Sequence, residues 1–347
     1  MARRPEFGIG GHTVAAGERR TIELPVSVLS DHTPVTMSVH VVHGRRAGPT
    51  LFVSASVHGD EVIGVEIVRR LLRTRDLKSV RGTLLVVPIV NTYGFLNHSR
   101  YLPDRRDLNR CFPGSDSGSL AARLADVFTT EIVARSDVGI DLHSAAVHRT
   151  NLPQIRISPD NPKMLDLARA FGAPVILTSP VRDGSLRGSA AELGVDVLLY
   201  EAGEGLRFDE LAVRVGVSGI LRTMRHLEML PAKRGAAARA RSLRCDRSRW
   251  VRAPVGGLLR AFRREGDIVA AGTVLGAVSD PFGEKDLPIK AVMDGIIIGR
   301  AMMPIVNEGD AVFHIAAVRA SDDAEATVDD LAAQMRADPL FDEDEII

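Results

Sequence analysis

The chain has 347 residues, of which 45% are hydrophobic and 25% are charged, an ordinary balance for a globular protein with room for two domains. Lysine and arginine together number 44, as do aspartate and glutamate, so the formal net charge is +0. This balance argues against a nucleic-acid-binding protein or a membrane-surface protein, because the binding faces of both are strongly basic.

The cysteines and the N-terminal residues indicate the compartment. Cys111 and Cys245 are the two cysteines and lie far apart, so we predict no disulfide framework and expect a reducing environment. The first residues lack the apolar core of a signal peptide, and no apolar run reaches transmembrane length. We therefore expect a cytoplasmic protein with no membrane partner and no nucleic-acid partner.

Apolar strands alternate with amphipathic helices through residues 1–230, which we predict to be one domain. The predicted strands are 21–29, 35–43, 51–57, 82–90, 137–142, 174–177 and 196–200. The predicted helices are 61–73, 119–134, 162–171 and 208–227. This alternation indicates an α/β fold with a parallel or mixed sheet that helices flank on both faces.

The character of the chain changes after residue 230. We interpret the basic segment 231–250 as a solvated linker; a nucleic-acid patch is the alternative, but Trp250 is its single aromatic residue. Residues 251–318 read as short strands between glycine turns, and the pattern of 264–269 recurs at 307–312. This internal repeat predicts a small all-β domain that resembles the barrel-sandwich fold of lipoyl domains.

Two further features of the C-terminal part have simple interpretations. Lys290 follows an isoleucine inside a predicted strand instead of lying at a hairpin tip, so we do not expect lipoylation. Residues 319–347 form an acidic tail, either disordered or loosely docked, within which 327–337 could form a helix.

The segment His58-Gly-Asp-Glu61 stands where an apolar strand ends and a helical pattern begins. His58 and Glu61 offer an imidazole and a carboxylate on one tight turn, which are ligand types of a catalytic zinc ion. Asp60 is placed to orient an imidazole from outside the ligand shell. The alternative is an ordinary helix N-terminus whose acidic residues match the helix dipole.

His143 follows the predicted strand 137–142, two residues after Asp141. A single histidine there is usually a core residue satisfied by the backbone, but His58 and Glu61 favour a metal site. The three residues together would form a His₂Glu set with one coordination position open for water.

The segment 91–114 follows a buried strand and has neither helical nor strand periodicity, yet it is dense in arginine and asparagine. Such a loop favours ligand binding over a merely solvated surface. Its guanidinium groups suit capture of a carboxylate and polarisation of a carbonyl.

Glu201 terminates another apolar strand and has small neighbours, so a partly desolvated carboxylate there suits a general base. Glu204 is the competing candidate. We favour Glu201 because the strand sets its position, whereas Glu204 lies in a glycine-rich turn.

Together these segments resemble the succinylglutamate desuccinylase/aspartoacylase family, a branch of the zinc carboxypeptidase-like hydrolases. The matching pieces are His58-Gly-Asp-Glu61, Asn91 with Arg100, Asp107-Leu-Asn-Arg110 followed by Phe112, Asp141-Leu-His143-Ser, and Glu201. The resemblance covers residues 50 to 230, and the β-domain is similar to that of bacterial members, in which it packs near the active-site mouth.

The resemblance implies a zinc-carboxypeptidase-like fold and one Zn²⁺ per chain, bound by His58, Glu61 and His143. Glu201 would act as the general base on the attacking water and then protonate the leaving amine. The implied reaction is hydrolysis of a small N-acyl amino acid that carries a carboxylate.

The same resemblance assigns the substrate contacts. Arg100 would polarise the scissile carbonyl, with Arg105 and Arg106 as alternatives because the segment before Asp107 is long. Asn109 and Arg110 would hold the substrate carboxylate. The segment 148–156 resembles bacterial members, and its first two residues either line the pocket or belong to a structural loop.

Other functions stay open at this point. The near alternative is a zinc carboxypeptidase that acts on peptides, and the alternative of another class is a non-catalytic scaffold. Cys111 is interpreted as a packed residue, since nothing near it suggests a nucleophile. A homo-oligomer is expected from the exposed β-domain and the neutral surface.

Overall fold

The computed structural model describes residues 4–159, 161–232 and 242–318. Its strands are β1 (Phe7–Ile9), β2 (His12–Val14), β3 (Arg19–Val28), β4 (Pro34–His43), β5 (Arg46–Ala55), β6 (Arg81–Val87), β7 (Val138–His143), β8 (Arg149–Ile157), β9 (Val175–Thr178), β10 (Asp196–Gly203), β11 (Leu243–Cys245), β12 (Ser248–Arg252), β13 (Gly257–Ala261), β14 (Ile268–Val269), β15 (Val274–Ser279), β16 (Asp286–Lys290), β17 (Gly295–Ala301), β18 (Ile305–Val306) and β19 (Ala311–Ala316). Its α-helices are α1 (Ile63–Arg73), α2 (Thr92–Leu96), α3 (Leu120–Glu131), α4 (Pro162–Phe171), α5 (Leu186–Glu192) and α6 (Glu210–His226).

Over the described residues, a 13-stranded mixed sheet runs β12-β19-β17-β8-β10-β7-β5-β6-β4-β3, with β14 beside β17 and with β9 and β11 branching from β8. Strands β6, β5, β7 and β10 are mutually parallel and form its centre. Strands β3 and β4 close one side as an antiparallel pair. The predicted α/β fold with a mixed sheet is confirmed.

Helices cover both faces of the central strands, as their apolar periodicity predicts. Helices α1, α4 and α6 pack on one face, where Ile67, Phe171 and Ile220 are fully buried. Helices α3 and α5 pack on the other face with Phe52 of β5. These two apolar layers hold the sheet rigid at the strand ends where the polar residues collect.

The C-terminal β-domain shares the large sheet with the α/β region. A separate four-stranded antiparallel sheet, β16-β15-β13-β18, faces the β12, β19, β17 and β14 end of the large sheet. Leu275, Ile297 and Phe313 are fully buried between the two layers. Strand β17 also pairs antiparallel with β8, with Gly299 opposite Asn151. Backbone hydrogen bonding therefore continues from the α/β region into the β-domain.

Two segments differ from the sequence-based expectation. The predicted linker 231–250 contains β11, which pairs with β9, and the start of β12. Cys245 of β11 is completely buried beside Leu177, and this burial places the segment in the sheet. The segment 148–156, considered partly as a loop, is almost entirely strand β8. Residues of both parities are buried along this strand, so its sequence shows no apolar–polar alternation by which a strand could be recognised.

The acidic tail 319–347 and the central part of the predicted linker, 233–241, lie outside the described residues. In the part of the chain that the structure describes, no helix is long and apolar enough to cross a membrane.

Candidate active site

The carboxyl ends of the central parallel strands meet at one edge of the sheet, where ligands of α/β proteins collect. His58 follows β5, His143 ends β7, and Glu201 lies near the end of β10. Glu201 is the direct partner of His143 in the parallel register, so both side chains leave the same face of the sheet.

A cavity of about 620 Å³ opens at this edge. All seven residues predicted for the site line it, namely His58, Glu61, Arg100, Asn109, Arg110, His143 and Glu201. A volume of this size accommodates a small-molecule substrate.

The Glu61 carboxylate lies between two imidazoles. Its Oε1 atom is 2.7 Å from His58 Nδ1, and its Oε2 atom is 2.7 Å from His143 Nδ1. The backbone N–H of Ser144 donates a further hydrogen bond of 3.2 Å to Oε2. One ligand atom from each of His58, Glu61 and His143 lies within 4.8 Å of the others, and all three residues are buried. This is the convergence that a metal ion requires.

One carboxylate holds the far side of each imidazole. His58 Nε2 lies 3.1 Å from Asp107 Oδ1, and His143 Nε2 lies 2.7 Å from Asp141 Oδ2. The Ser54 hydroxyl in turn donates to Asp141 Oδ1 at 2.8 Å. Because each Nε2 atom is engaged, the Nδ1 atoms face the cluster as the ligand atoms. Metal-binding histidines in proteins are oriented in this way.

Asp60 does not orient an imidazole, so that prediction was wrong. Its side chain is buried, and its Oδ1 atom has no hydrogen-bond partner among the described residues. Its backbone carbonyl instead accepts a hydrogen bond from the N–H of Leu206. Burial, together with the neighbouring Glu61 carboxylate, raises the pKa of Asp60 above its ordinary value. Asp107 and Asp141, which come from other segments, contact the imidazoles instead.

The cluster is electrostatically prepared for a cation. Burial by itself would raise the pKa of Glu61, but His58 and His143 outweigh it and hold that pKa well below its ordinary value. Burial would likewise lower the pKa of His143, but Asp141 and Glu61 raise it well above its ordinary value. Positive charge is therefore stabilised at this position. Two imidazole nitrogens and one carboxylate fit zinc in donor type and in number, and the outer carboxylates orient the imidazoles.

Arg100 lies next to the cluster. Its Nη1 atom donates to Glu61 Oε1 at 3.2 Å, and its Nη2 atom donates to Asp107 Oδ2 at 3.1 Å. Arg105 and Arg106 are exposed and do not line the cavity, and Arg106 pairs with Asp104 at 3.0 Å. Of the three arginines considered, the structure brings Arg100 to the cavity.

Asn109 and Arg110 stand on a tight 3₁₀ turn, Leu108–Arg110, which the side chain of Asp107 caps. The backbone N–H of Leu186, at the start of α5, donates to Asn109 Oδ1 at 2.9 Å. Because this bond uses the amide oxygen of Asn109, the amide nitrogen is available to donate a hydrogen bond into the cavity. The half-buried Cys111 follows the turn and packs against the apolar layer on this face of the sheet, as interpreted from the sequence.

Both carboxylate oxygens of Glu201 are held by β8. Asn151 Nδ2 donates to Glu201 Oε2 at 2.8 Å, and Arg156 Nη1 lies 3.2 Å from Glu201 Oε1. Glu204 does not line the cavity and accepts the backbone N–H of His148 at 3.0 Å.

The sequence analysis named Arg100 and Arg110 and considered Arg149, but it missed the other cavity arginines. Six arginines and two glutamates line the cavity, the arginines being Arg100, Arg110, Arg149, Arg156, Arg182 and Arg187. Four of the six have no carboxylate within ion-pair distance among the described residues, and these are Arg110, Arg149, Arg182 and Arg187. Arg110 lies in a motif that the sequence analysis recognised, whereas Arg182 and Arg187 belong to no recognisable motif, so only their positions in the fold reveal them.

Arg187 is the most buried of these four. Its guanidinium donates to the Ser179 hydroxyl, the Ser179 carbonyl and the Pro180 carbonyl, all neutral acceptors. Burial, with repulsion from Arg156 and Arg182, lowers its pKa to about 10. A bound anion would offset this repulsion, so the arrangement indicates an anionic ligand.

The β-domain supplies one wall of the cavity. Trp250 and His314 stack with their ring centroids 4.4 Å apart and their planes at 10°, and the Arg149 guanidinium lies 5.3 Å from the Trp250 ring. Burial and the nearby Arg156 lower the pKa of His314 to about 3, so this imidazole is neutral at neutral pH. Sequence reasoning assigned no site residue to this domain.

Comparisons with known proteins find relatives over most of this chain. Residues 47–227, more than half of the chain, match the family described as succinylglutamate desuccinylase/aspartoacylase catalytic domain. The chain is 28% identical over 309 residues to the N-alpha-acetyl-L-2,4-diaminobutyric acid deacetylase of Halomonas elongata. That alignment covers 86% of this chain and 90% of the relative.

Solved structures show the same fold over most of both chains. The succinylglutamate desuccinylase/aspartoacylase of Rhodobacter sphaeroides is 26% identical with a TM-score of 0.77, covering 87% of this chain and 96% of its own. The ectoine utilization protein EutE (DoeB) of Ruegeria pomeroyi is 23% identical with a TM-score of 0.77, covering 87% of this chain and 95% of its own.

We predict that Asp141→Asn weakens zinc binding about 10–100-fold, because the His143 imidazole loses the charged acceptor that orients it. A chelator competition titration measures the change. Asp116→Asn, at an exposed position, is the matched control. Unchanged zinc affinity in Asp141→Asn would show that this carboxylate does not support the metal ligand.

We also predict that Gly59→Ala lowers both the zinc content and the melting temperature. A Cβ atom at Gly59 would lie 1.9 Å from the carbonyl carbon of Gly94, so the ligand-bearing turn must move. Overpacking of this kind costs about 1–3 kcal/mol. Gly8→Ala, where a Cβ atom meets nothing within 4 Å, is the control. Thermal unfolding and metal analysis check the prediction, and wild-type values in both would contradict it.

Proposed function

Because the chain belongs to the succinylglutamate desuccinylase/aspartoacylase family, as its motifs predicted, we propose that it hydrolyses the amide bond of a small N-acylated amino acid. We propose further that the reaction depends on one zinc ion per chain. One observation carries the proposal: the buried cluster of His58, Glu61 and His143 shares its cavity with Glu201 and Arg100.

A zinc ion held by His58 Nδ1, His143 Nδ1 and the Glu61 carboxylate would lower the pKa of a coordinated water to about 7 and polarise the scissile carbonyl. Glu201 takes a proton from the attacking water. The water oxygen forms the new C–O bond, the amide C–N bond breaks, and Glu201 delivers its proton to the leaving amine. The products are a carboxylate and a free amine.

The arginines position the substrate and stabilise charge. Arg100 stabilises the negative charge that develops on the carbonyl oxygen, which its position beside Glu61 supports. Arg110 and the amide nitrogen of Asn109 hold a substrate carboxylate. Arg100 is also held by Asp107, so its guanidinium needs little reorganisation during the reaction.

The charge lining the cavity favours an anionic substrate. The relative from Halomonas elongata is named for a substrate whose side chain carries an amine. In this chain, the guanidiniums of Arg149, Arg182 and Arg187, which have no carboxylate partner among the described residues, would repel a cationic side chain and attract a carboxylate.

A zinc carboxypeptidase acting on peptides is the less favoured alternative, because Trp250 and His314 of the β-domain wall the cavity on one side. A non-catalytic scaffold would not require a set of metal-ligand side chains and a general base in the same cavity. A cytoplasmic location and a homo-oligomeric state stay predictions from the sequence.

We predict that Glu201→Gln lowers kcat about 10²–10⁴-fold while zinc stays at about one per chain, because the amide cannot accept the proton. Amine release from a panel of N-acetyl and N-succinyl amino acids measures turnover. Glu204→Gln, outside the cavity, should retain wild-type activity. Full turnover in Glu201→Gln would exclude Glu201 as the general base.

We predict that substrates with an acidic side chain are hydrolysed with higher kcat/KM than N-acetyl-2,4-diaminobutyrate. Arg187→Met should raise KM for the acidic substrates about 10-fold or more, since a charged hydrogen bond is worth about 1.5–3 kcal/mol. The exposed Arg123→Met is the matched control. Steady-state kinetics decide the matter, and a preference for the diaminobutyrate substrate would contradict an anion-selective cavity.

A further inference from the structure

Strand β8, whose side chains contact Glu201, lies between the α/β region and the β-domain. Strand β8 pairs with β10, which carries Glu201, on one edge, and with β17 of the β-domain on the other. Asn151 of β8 is opposite Gly203 on the first side and opposite Gly299 on the second. A β-domain strand thus flanks the residue that contacts the proposed base.

Gly299 leaves the space that the Asn151 side chain occupies. A Cβ atom at Gly299 would lie 2.6 Å from Asn151 Oδ1, closer than such contacts occur, and 3.0 Å from the Thr150 carbonyl oxygen. Gly299 is not in the left-handed region, so its backbone conformation does not require glycine. The close approach of the Asn151 amide is therefore the physical reason for a glycine there.

The Asn151 amide is held in one orientation. Its oxygen lies over Gly299, and its nitrogen donates to Glu201 Oε2 at 2.8 Å. Asn151 is buried, so its side chain has little freedom to move aside. Because the oxygen and the nitrogen belong to one planar amide group, a shift of the oxygen away from Gly299 would also move the nitrogen that donates to the Glu201 carboxylate.

We infer that the β-domain positions the catalytic base: Asn151 is a positioning residue for Glu201, and Gly299 of β17 is the clearance that allows it. The inference rests on the proposed function of Glu201 as the base. It gives the β-domain a part in the chemical step, in addition to forming a wall of the cavity. A general base must be placed closely, since a displacement of about 1 Å can lower the rate about 10²-fold.

The test is a double-mutant cycle in the full-length zinc-loaded protein, assayed with the N-acyl amino acid that the panel shows to be the best substrate. Gly299→Ala should lower kcat about 10-fold or more, with little change in KM or in zinc content. Asn151→Ala removes the contact from the other side and should lower kcat similarly. In the Asn151→Ala background, Gly299→Ala should add little further loss, because the displaced group is already gone.

Two comparisons separate positioning from loss of stability. Gly256→Ala, at a β-domain glycine where a Cβ atom has only ordinary contacts of 3.6 Å and longer, should retain wild-type kcat. A loss from Gly299→Ala that is equally large in the Asn151→Ala background would act through the Thr150 carbonyl or through folding, and would overturn the inference. If Gly299→Ala does not fold, Asn151→Ala alone decides, because wild-type kcat in that variant also overturns it.

Glu201→Gln, measured in parallel, distinguishes the two proposals. If Glu201→Gln retains turnover, the proposed base is wrong and the inference falls with it. If Glu201→Gln is inactive while Gly299→Ala and Asn151→Ala keep wild-type kcat, the proposed function stands and only the positioning role is overturned.

Discussion

The buried Glu61 carboxylate is the interaction on which the site depends. It accepts from His143, pairs with His58 and receives the Arg100 guanidinium, so it joins segments that follow three different strands. A carboxylate with almost no solvent contact is stable only when such partners compensate for lost hydration. The ends of the central strands must therefore meet at this point for the charge to remain buried.

The rest of the site is arranged around that charge in layers. Asp107 and Asp141 hold the outer nitrogens of the two imidazoles, which leaves the inner nitrogens facing the carboxylate. Beyond them, guanidiniums that have no carboxylate partner among the described residues line the cavity. The positive potential is thus concentrated in the cavity, while Asp107 and Asp141 hold the two imidazoles. This separation of acidic groups from the cavity arginines explains how a chain with no net charge has a cationic cavity.

Sequence reasoning named residues that the structure brings to one cavity where a local motif coincides with the end of a strand. His58, Glu61, His143 and Glu201 follow apolar runs, and the end of a buried strand predicts where such residues lie. The choice of Asp60 failed because proximity in sequence does not say which carboxylate faces an imidazole. Asn151 was missed because it stands within a strand paired on both edges, where no sequence pattern separates a site residue from a core residue.

The sequence by itself determined the α/β alternation and the all-β character after residue 250, and it singled out His58, Glu61 and His143 as candidate metal ligands, because periodicity and motif spacing are local properties of the chain. The tertiary structure decided which groups meet across long separations. It showed that β8 joins the β-domain to the strand of Glu201, that Trp250 and His314 reach the cavity, and that Arg182 and Arg187 face it. These contacts depend on strand order and register, which residue pattern alone does not specify.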